Sequence, residues 1–536
     1  MKKGTKFTLI VLGAVLALGI ILFIGADVWV SRITMRKVNQ ALTTLPEGKA
    51  TCGLIQVRLF SGTVGVDDIR FDFRGEPIHK KDTTSRPGVS IYVEHIELGR
   101  IFYSLLLKKE LLVSDLNISQ PHVELWLDDK HPEHCFPKIE MDTSLTFPLH
   151  KTELLNLSLK NASLALHSLR TKLNVGVDSC SLTAHHLAYD SVFHYCDSIY
   201  RFSLEHAAIM FPDGRMMMET RNIEHEDQGA LTIGATRIAN TMPKNKLGDI
   251  VKEPVTWIDM QFESVKISPL NPIRKALAKD LSLEKIDAVV KQMNVYRDNR
   301  YNPVRPFPMP QQILLNLPVT FLVKQANAQI KAIHIDLAST KTNIGKMDIK
   351  NIKAKVDNIT NRRNAVLCAS GNCPLDQGSA EALFEMRMDT QCGFSLRLNA
   401  KQVNTNMLNS FVRPLVGMTS DCMIDELDTE YSGDKAQASG TFRMLYHGLR
   451  IQVHKEDDIP FKIITKNANT FNTLGNSLIP KSNPTAVDVY PRAYQVVWKR
   501  DEWKPFPLFL FGPCIDGVKK TFLPGLYVHL QTKQQQ

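Results

Sequence analysis

The chain has 536 residues, 43% of them hydrophobic and 22% charged, which is ordinary globular usage and excludes a disordered or low-complexity polymer. Its 65 lysines and arginines outnumber 55 acidic residues, but the two signs are interspersed without a dense basic block, so a nucleic-acid platform is not expected. Nine cysteines, at positions 52, 135, 180, 196, 368, 373, 392, 422 and 514, are too irregular for a disulfide framework, and Cys368, Cys373 and Cys392 alone sit close enough in sequence to pair locally.

Behind Lys2, Lys3 and Lys6, the run from Phe7 to Ala26 carries no charge. At about 1.5 Å of rise per residue its length matches a hydrocarbon core of about 30 Å. A cleaved signal peptide has a shorter apolar region ending in small residues, whereas Ile24 stands here near the end of the run. The reading is an uncleaved, single-pass transmembrane helix. Lys2, Lys3 and Lys6 are nearly balanced by Arg32, Arg36 and Lys37, so charge decides little about orientation. A short tail ahead of a large domain favours an exported body. Ser31 to Leu45 reads as a short amphipathic linker.

Beyond it, period-two alternation dominates, the pattern of half-buried strands. Val89, Ile91 and Val93 alternate with polar neighbours, as do Leu155, Leu157 and Leu159, then Leu173, Val175 and Val177, then Leu317, Val319, Phe321 and Val323, then Phe394, Leu396 and Leu398. Gly75-Glu76-Pro77, Asn161-Ala162, Pro212-Asp213-Gly214 and Ser432-Gly433-Asp434 punctuate them as turns. Around Leu116, Ile118, Val123 and Leu125 the parity slips, and Gln120-Pro121 between the two pairs predicts a bulge that keeps all four on one face.

Two segments read as helices instead. Ile273, Leu277, Leu281, Ile286, Val290 and Met293 keep roughly helical spacing, as do Met407, Leu408, Phe411, Val412 and Leu415 before Gly417. The stretch Asn302-Pro303-Val304-Arg305-Pro306-Phe307-Pro308-Met309-Pro310 is too rich in proline for helix or central strand and marks the principal boundary. Three regions follow: an anchor over 1–30 and β-rich regions over 31–300 and 301–536. The fold class is mainly β, a transmembrane helix followed by an elongated, curled antiparallel β-sheet body with a few helices.

Motifs for chemistry are scarce. The sequence contains no Gly-x-Ser-x-Gly elbow, no phosphate loop ending in Gly-Lys-Ser/Thr and no His-Glu-x-x-His. His131-Pro132-Glu133-His134-Cys135 offers imidazoles and a thiol of the kind zinc takes, but proline within the cluster and the lack of a second ligand pair favour a surface loop. His185-His186 with His194 and Cys196 is no better, because adjacent strand residues point to opposite faces. Glu224-His225-Glu226-Asp227 reads as a polar turn. No catalytic residue, metal or cofactor is expected. The segment Trp503 to Gly512, with Ile515, Val518, Phe522, Leu523, Lys519 and Lys520 after it, suits either a bilayer interface or docking on the end of a sheet.

Some segments resemble a known family. Phe60-Ser61-Gly62-Thr63-Val64-Gly65-Val66-Asp67-Asp68-Ile69-Arg70-Phe71, then Val93–Leu98 leading into Leu105–Val113, then Leu116-Asn117-Ile118-Ser119-Gln120-Pro121-His122-Val123-Glu124-Leu125, and near the other end Leu427–Asp434 and Ser439–Ile451, resemble in their order AsmA-like proteins of Gram-negative bacteria, particularly the Bacteroidetes-type branch. The resemblance implies a β-groove with an apolar interior, anchored in the inner membrane, with its body in the periplasm. It further implies membrane phospholipid, and other envelope proteins, as partners in outer-membrane assembly, without catalysis. Leu116, Ile118, Val123, Leu125, Leu155, Leu157, Leu159, Val319, Phe321 and Val323 are the expected groove residues. The alternative is a non-catalytic scaffold whose sheets pack on each other and dock envelope components.

Overall fold

The computed structural model describes residues 26–38, 48–78, 85–102, 110–136, 151–189, 193–194, 201–225, 229–270, 281–317, 319–340, 342–375, 377–454, 472, 479–487 and 492–524. The expected anchor, apart from Ala26, lies outside them, and so do Ile273, Leu277 and Cys196. Among the described residues no helix is long and apolar enough to cross a membrane. The protein is mainly β, and its chain divides into two compact units, Met1–Ile233 and Gly234–Gln536.

In the first unit a helix over residues 26–38 precedes the strands β1 (Lys49–Thr51), β2 (Ile55–Arg58), β3 (Thr63–Arg74), β4 (Gly88–Ile101), β5 (Glu110–Leu127), β6 (Lys151–Ser168), β7 (Asn174–Tyr189), β8 (Phe193–His194), β9 (Arg201–Met210), β10 (Met216–His225) and β11 (Leu231–Ile233). Both β1 and β2 pair with β3, and the order continues β3–β4–β5–β6–β7–β9–β10–β11. The helix is tied to β2, whose other side pairs with β3. Val57 donates its N–H to Ser31 Oγ at 2.8 Å, and Leu59 donates to Asp27 Oδ1 at 2.9 Å. Part of the unpaired backbone of a short edge strand is thereby satisfied.

The second unit holds β12 (Thr236–Asn240), β13 (Val255–Ser268), β14 (Ser282–Asp298), β15 (Leu322–Ala338), β16 (Ile344–Thr360), β17 (Val366–Leu375), β18 (Gly378–Arg387), β19 (Phe394–Asn404), β20 (Met418–Gly433), β21 (Gln437–Val453) and β22 (Ala493–Lys499), each paired with the next. Among the described residues its α-helices are α1 (Lys244–Val251), α2 (Pro310–Leu315), α3 (Asn409–Val416), α4 (Phe506–Leu510) and α5 (Gly512–Phe522). As expected from the sequence, α3 covers most of the Met407–Leu415 pattern and ends at Gly417, whose φ of 74° is the left-handed cap glycine accepts without strain.

Four sequence expectations change. The sheets are not purely antiparallel, because β5–β6 and β14–β15 are parallel pairs. Such pairs need a crossover of a dozen residues or more, and the connections 128–150 and 299–321 provide it. The proline-rich stretch Asn302–Pro310 therefore lies inside the second unit, in one of these crossovers. The helix expected around Ile286, Val290 and Met293 is the strand β14. Cys368, Cys373 and Cys392, which sit close enough in sequence to pair, are free thiols.

The best-packed core belongs to the second unit, where α4 and α5 lie on β19–β22. Tyr431, Phe442, Met444, Tyr446, Val496 and Phe509 are buried there, and Tyr431 donates its hydroxyl to the Leu510 carbonyl at 2.6 Å. Gly517 of α5 rests against the ring of Phe442, and Gly512 against Trp498, so closely that a Cβ at either would overlap the ring. The C-terminal aromatic segment thus docks on sheet, one of the two outcomes its sequence left open. Trp503, Leu508, Phe511 and Ile515 remain exposed on its outer side.

Both parallel pairs carry a buried aspartate at the end of the first strand: Asp128 directly follows β5, and Asp298 is the last residue of β14. Asp128 is 2% exposed and takes a bidentate pair from Arg170, whose Nη2 lies 2.9 Å from Oδ2. Asp298 is fully buried and takes a bidentate pair from Arg300, at 2.9 and 2.6 Å. The Arg170 guanidinium holds the Asp128 carboxyl down at about 2. This lowered pKa makes a contribution to stability that is present above the unfolded value near 4 and lost as pH falls through about 2. Asp128→Asn is expected to lower stability by about 2 kcal/mol, because Arg170 keeps some access to water. Urea unfolding at pH 7 measures the loss, and the difference from wild type should shrink in acid.

Candidate functional site

The strand registers line up apolar residues across neighbouring strands. In the first unit one row runs Phe71–Ile91–Val123–Leu164–Val177–Ala207, and a second runs Phe73–Val89–Leu125–Leu166–Val175–Ile209–Met218. Two more run Val66–Ile96–Ile118–Leu159–Leu182–Phe202 and Val64–Leu98–Leu116–Leu157–Ala184. Between the first and the third rows the parity of alternation changes on every strand. The change falls on one line, Asp68, Glu94, Gln120, Asn161, Ser179, Glu205 and Asn222, of which Asp68, Gln120, Asn161, Ser179 and Asn222 have φ between 48° and 55°. A left-handed residue restarts the alternation, so the apolar residues on both sides of the line keep to one face. Asn and Asp adopt this conformation at lower cost than other non-glycine residues. The bulge expected at Gln120-Pro121 is one member of this line.

The second unit repeats the device. Val356 and Ile359 flank Asn358, at φ 58°, and both pack against the buried cluster of Leu367, Met386 and Met388 despite their odd spacing. One apolar row runs Ile267–Ile286–Ala326–Val356–Ala369–Phe384–Leu396–Tyr431, and beside it runs Val265–Ala288–Ala328–Ala354–Gly371–Ala382–Leu398. The intervening positions are mostly polar, as in Asp287–Asn327–Lys355–Ser370–Leu383–Arg397–Glu430, where Leu383 is the exception.

Burial differs along the apolar face of each unit. In the second unit, under α4 and α5, the face is closed, with Leu396, Tyr431, Phe442 and Val496 all buried. In the first unit Phe73, Val89, Ala184 and Ala207 are buried, and the rows are half-open between them. Leu116, Ile118, Val123, Leu125, Leu155, Leu157 and Leu159 are half-buried, and Leu164, inside a row of branched aliphatic residues, is 37% exposed. The middle of a packed sandwich would bury such leucines almost completely.

The other face is solvated and electrostatically paired. His95 Nδ1 lies 2.5 Å from Asp67 Oδ1, His206 lies 3.2 Å from Asp178, and in the second unit His334–Asp348 and His447–Asp425 are pairs at 2.5 and 2.9 Å. The hydrogen bond to Asp67 pushes His95 up from its ordinary value. Such exposed cross-strand pairs are worth about 0.2–1 kcal/mol each. His185, from the motif set aside above, bonds Asn156 at 2.7 Å, while its neighbour His186 has φ 54°.

Of the expected groove residues, the structure brings Leu116, Ile118, Val123, Leu125, Leu157 and Leu159 into adjacent rows on β5 and β6. Leu155 lies on β6 beside them. Val323 lies on β15 between Leu283 and Ile359. Val319 and Phe321 are a correction: β15 begins at Leu322, and Val319 is 50% exposed in the connection before it. Asn361 and Thr360 take over that backbone, since Asn361 Nδ2 donates to Val319 O at 2.7 Å and Thr360 Oγ1 donates to Phe321 O at 2.6 Å. Sequence reasoning missed Ile91, Leu164, Val177 and Leu182 on the face, although their alternation was visible. It also missed the alanine–glycine row, whose small residues carry no contrast. No family model, curated protein or solved structure matches this chain.

The line of left-handed residues is testable. Asn161→Val places a β-branched residue at φ 52° and is expected to cost about 1–2 kcal/mol, whereas Asn161→Gly should be close to neutral. Chemical denaturation of both variants checks the difference, and equal stability would show that the left-handed backbone is not what the position requires.

Proposed function

We propose that the chain is an AsmA-like protein of the Gram-negative envelope whose apolar β-face receives phospholipid acyl chains. Phe7 to Ala26 anchors it in the inner membrane, and the body lies in the periplasm, as a curled groove serving outer-membrane assembly. The observation that carries this reading is the continuous, half-open aliphatic face of β3–β9, with Leu164 37% exposed at its centre. Exposed apolar patches of this kind mark interaction sites for lipid or protein. An acyl chain of sixteen carbons left in water costs roughly 12 kcal/mol at about 0.8 per methylene, so a path along such a face removes most of the barrier to its transfer. The ties from Asp27 and Ser31 to the β2 segment add to this reading, because they hold an edge of the sheet at the helix over residues 26–38, which follows the apolar N-terminal run in sequence.

The second reading is a scaffold that uses the same face to dock another envelope protein. Mass spectrometry of lipid extracted from the full chain purified in mild detergent separates the two. Phospholipid is expected to co-purify at a fixed ratio. Leu164→Asp, at a position already open to water, is expected to leave the fold intact and to lower lipid occupancy several-fold. Ile118→Asp, deeper in the row, should combine lipid loss with lower stability. A wild-type chain free of lipid, or a Leu164→Asp variant with normal occupancy, would move the assignment to the scaffold.

A further inference from the structure

The motif His131-Pro132-Glu133-His134 reads from sequence as a surface loop, in part because proline interrupts it. In the folded chain the proline starts a turn. Residues Pro132–Cys135 form one turn of 3-10 helix with proline at its first positions, where the missing N–H has no intrahelical partner to lose. His131 donates its N–H to the Asp128 carbonyl and His134 donates to the His131 carbonyl, each at 3.0 Å. The turn is nailed down from below by Cys135, which is fully buried with its Sγ donating to the Trp126 carbonyl at 3.3 Å. Next to it stands the buried Asp128, paired with Arg170.

This frame holds three ligand-type side chains together on the outside of the turn. The rings of His131 and His134 stack with centroids 5.0 Å apart and planes inclined by 22°. His131 Nδ1 is 3.2 Å from Glu133 Oε1. One ligand atom from each of His131, Glu133 and His134 falls within 4.8 Å of the others. Ligands bonded to zinc at about 2.0–2.1 Å in a tetrahedron stand about 3.3 Å apart, so one edge is already at length and modest side-chain rotations close the others. The buried Cys135 thiol points to Trp126 and is not part of the set.

We infer that His131, Glu133 and His134 form a binding site for a divalent ion of the zinc type. Two imidazoles and a carboxylate suit Zn²⁺ and neighbouring late transition ions better than Ca²⁺ or Mg²⁺, which take oxygen ligands. Three protein ligands leave a coordination position to water, as in open zinc sites. The frame is held by backbone hydrogen bonds and by burial of Cys135, so binding has little chain entropy to overcome.

Calorimetric titration of ZnCl₂ into the full chain in mild detergent at pH 7.5 tests this. One saturable ion per chain is expected. His131→Ala and His134→Ala should each weaken it by more than about 10-fold, a cost that loss of even an outer partner reaches. Glu133→Gln should weaken it less. All three side chains are exposed, so the variants should keep the wild-type circular dichroism. Absence of saturable binding, or unchanged binding in the folded His131→Ala/His134→Ala double variant, overturns the site.

Discussion

Strict alternation is the constraint on which this structure depends. Side chains of a strand point to opposite faces in turn, and a strand of sixteen or eighteen residues that twists and bends must nonetheless keep its apolar side toward one medium. The chain meets this by restarting the alternation at left-handed residues set in line across adjacent strands. On β5, Leu116 and Ile118 precede the restart at Gln120, and Val123 and Leu125 follow it, yet all four join rows of aliphatic partners. Without the line, half of each long strand would present its leucines to water and its charges to the apolar side.

The same device explains what the sequence made legible and what it hid. The restart on β5 was readable because proline follows it and because apolar pairs of opposite parity flank it. On β14 the parity changes between Val290 and Met293 at a register shift against β13, without a left-handed residue, and this turns a period of two into spacings of four and three, which mimic a helix face. The strand was therefore read as a helix, although Ile286, Ala288 and Val290 alternate. Leu317 to Phe321 failed in the opposite way. Their alternation is real, but they sit in a crossover, where side chains of Thr360 and Asn361 replace the ladder. The parallel pairs were not legible, since strand direction is set by the crossover and not by the strand's own residues.

The two units are built on a common plan that their sequences do not advertise. Each contains a long parallel pair flanked by antiparallel strands, and each fixes the exit of its first parallel strand with a buried aspartate in a bidentate arginine pair. The arginine comes from beyond β6 in one case and from the crossover itself in the other. What recurs is thus a physical requirement, a buried carboxylate satisfied where the chain leaves the sheet, more than a sequence motif. In the second unit Gly248 of α1 lies so close to the Asp298 carboxylate that a larger residue there would overlap it.

The row Ala328–Ala354–Gly371–Ala382 gives the face of the second unit something the leucine rows of the first do not have: depth. Short side chains withdraw the floor toward the backbone, while Phe384, Leu396 and Tyr431 stand higher in the neighbouring row. A slim, flexible body lying flat touches either kind of floor equally well. A thick or branched one has room only above the alanines, and the face ends where α4 and α5 cover Leu396 and Tyr431. The relief of this surface is thus set by side-chain volume alone, and a ligand received there as proposed would be selected by girth.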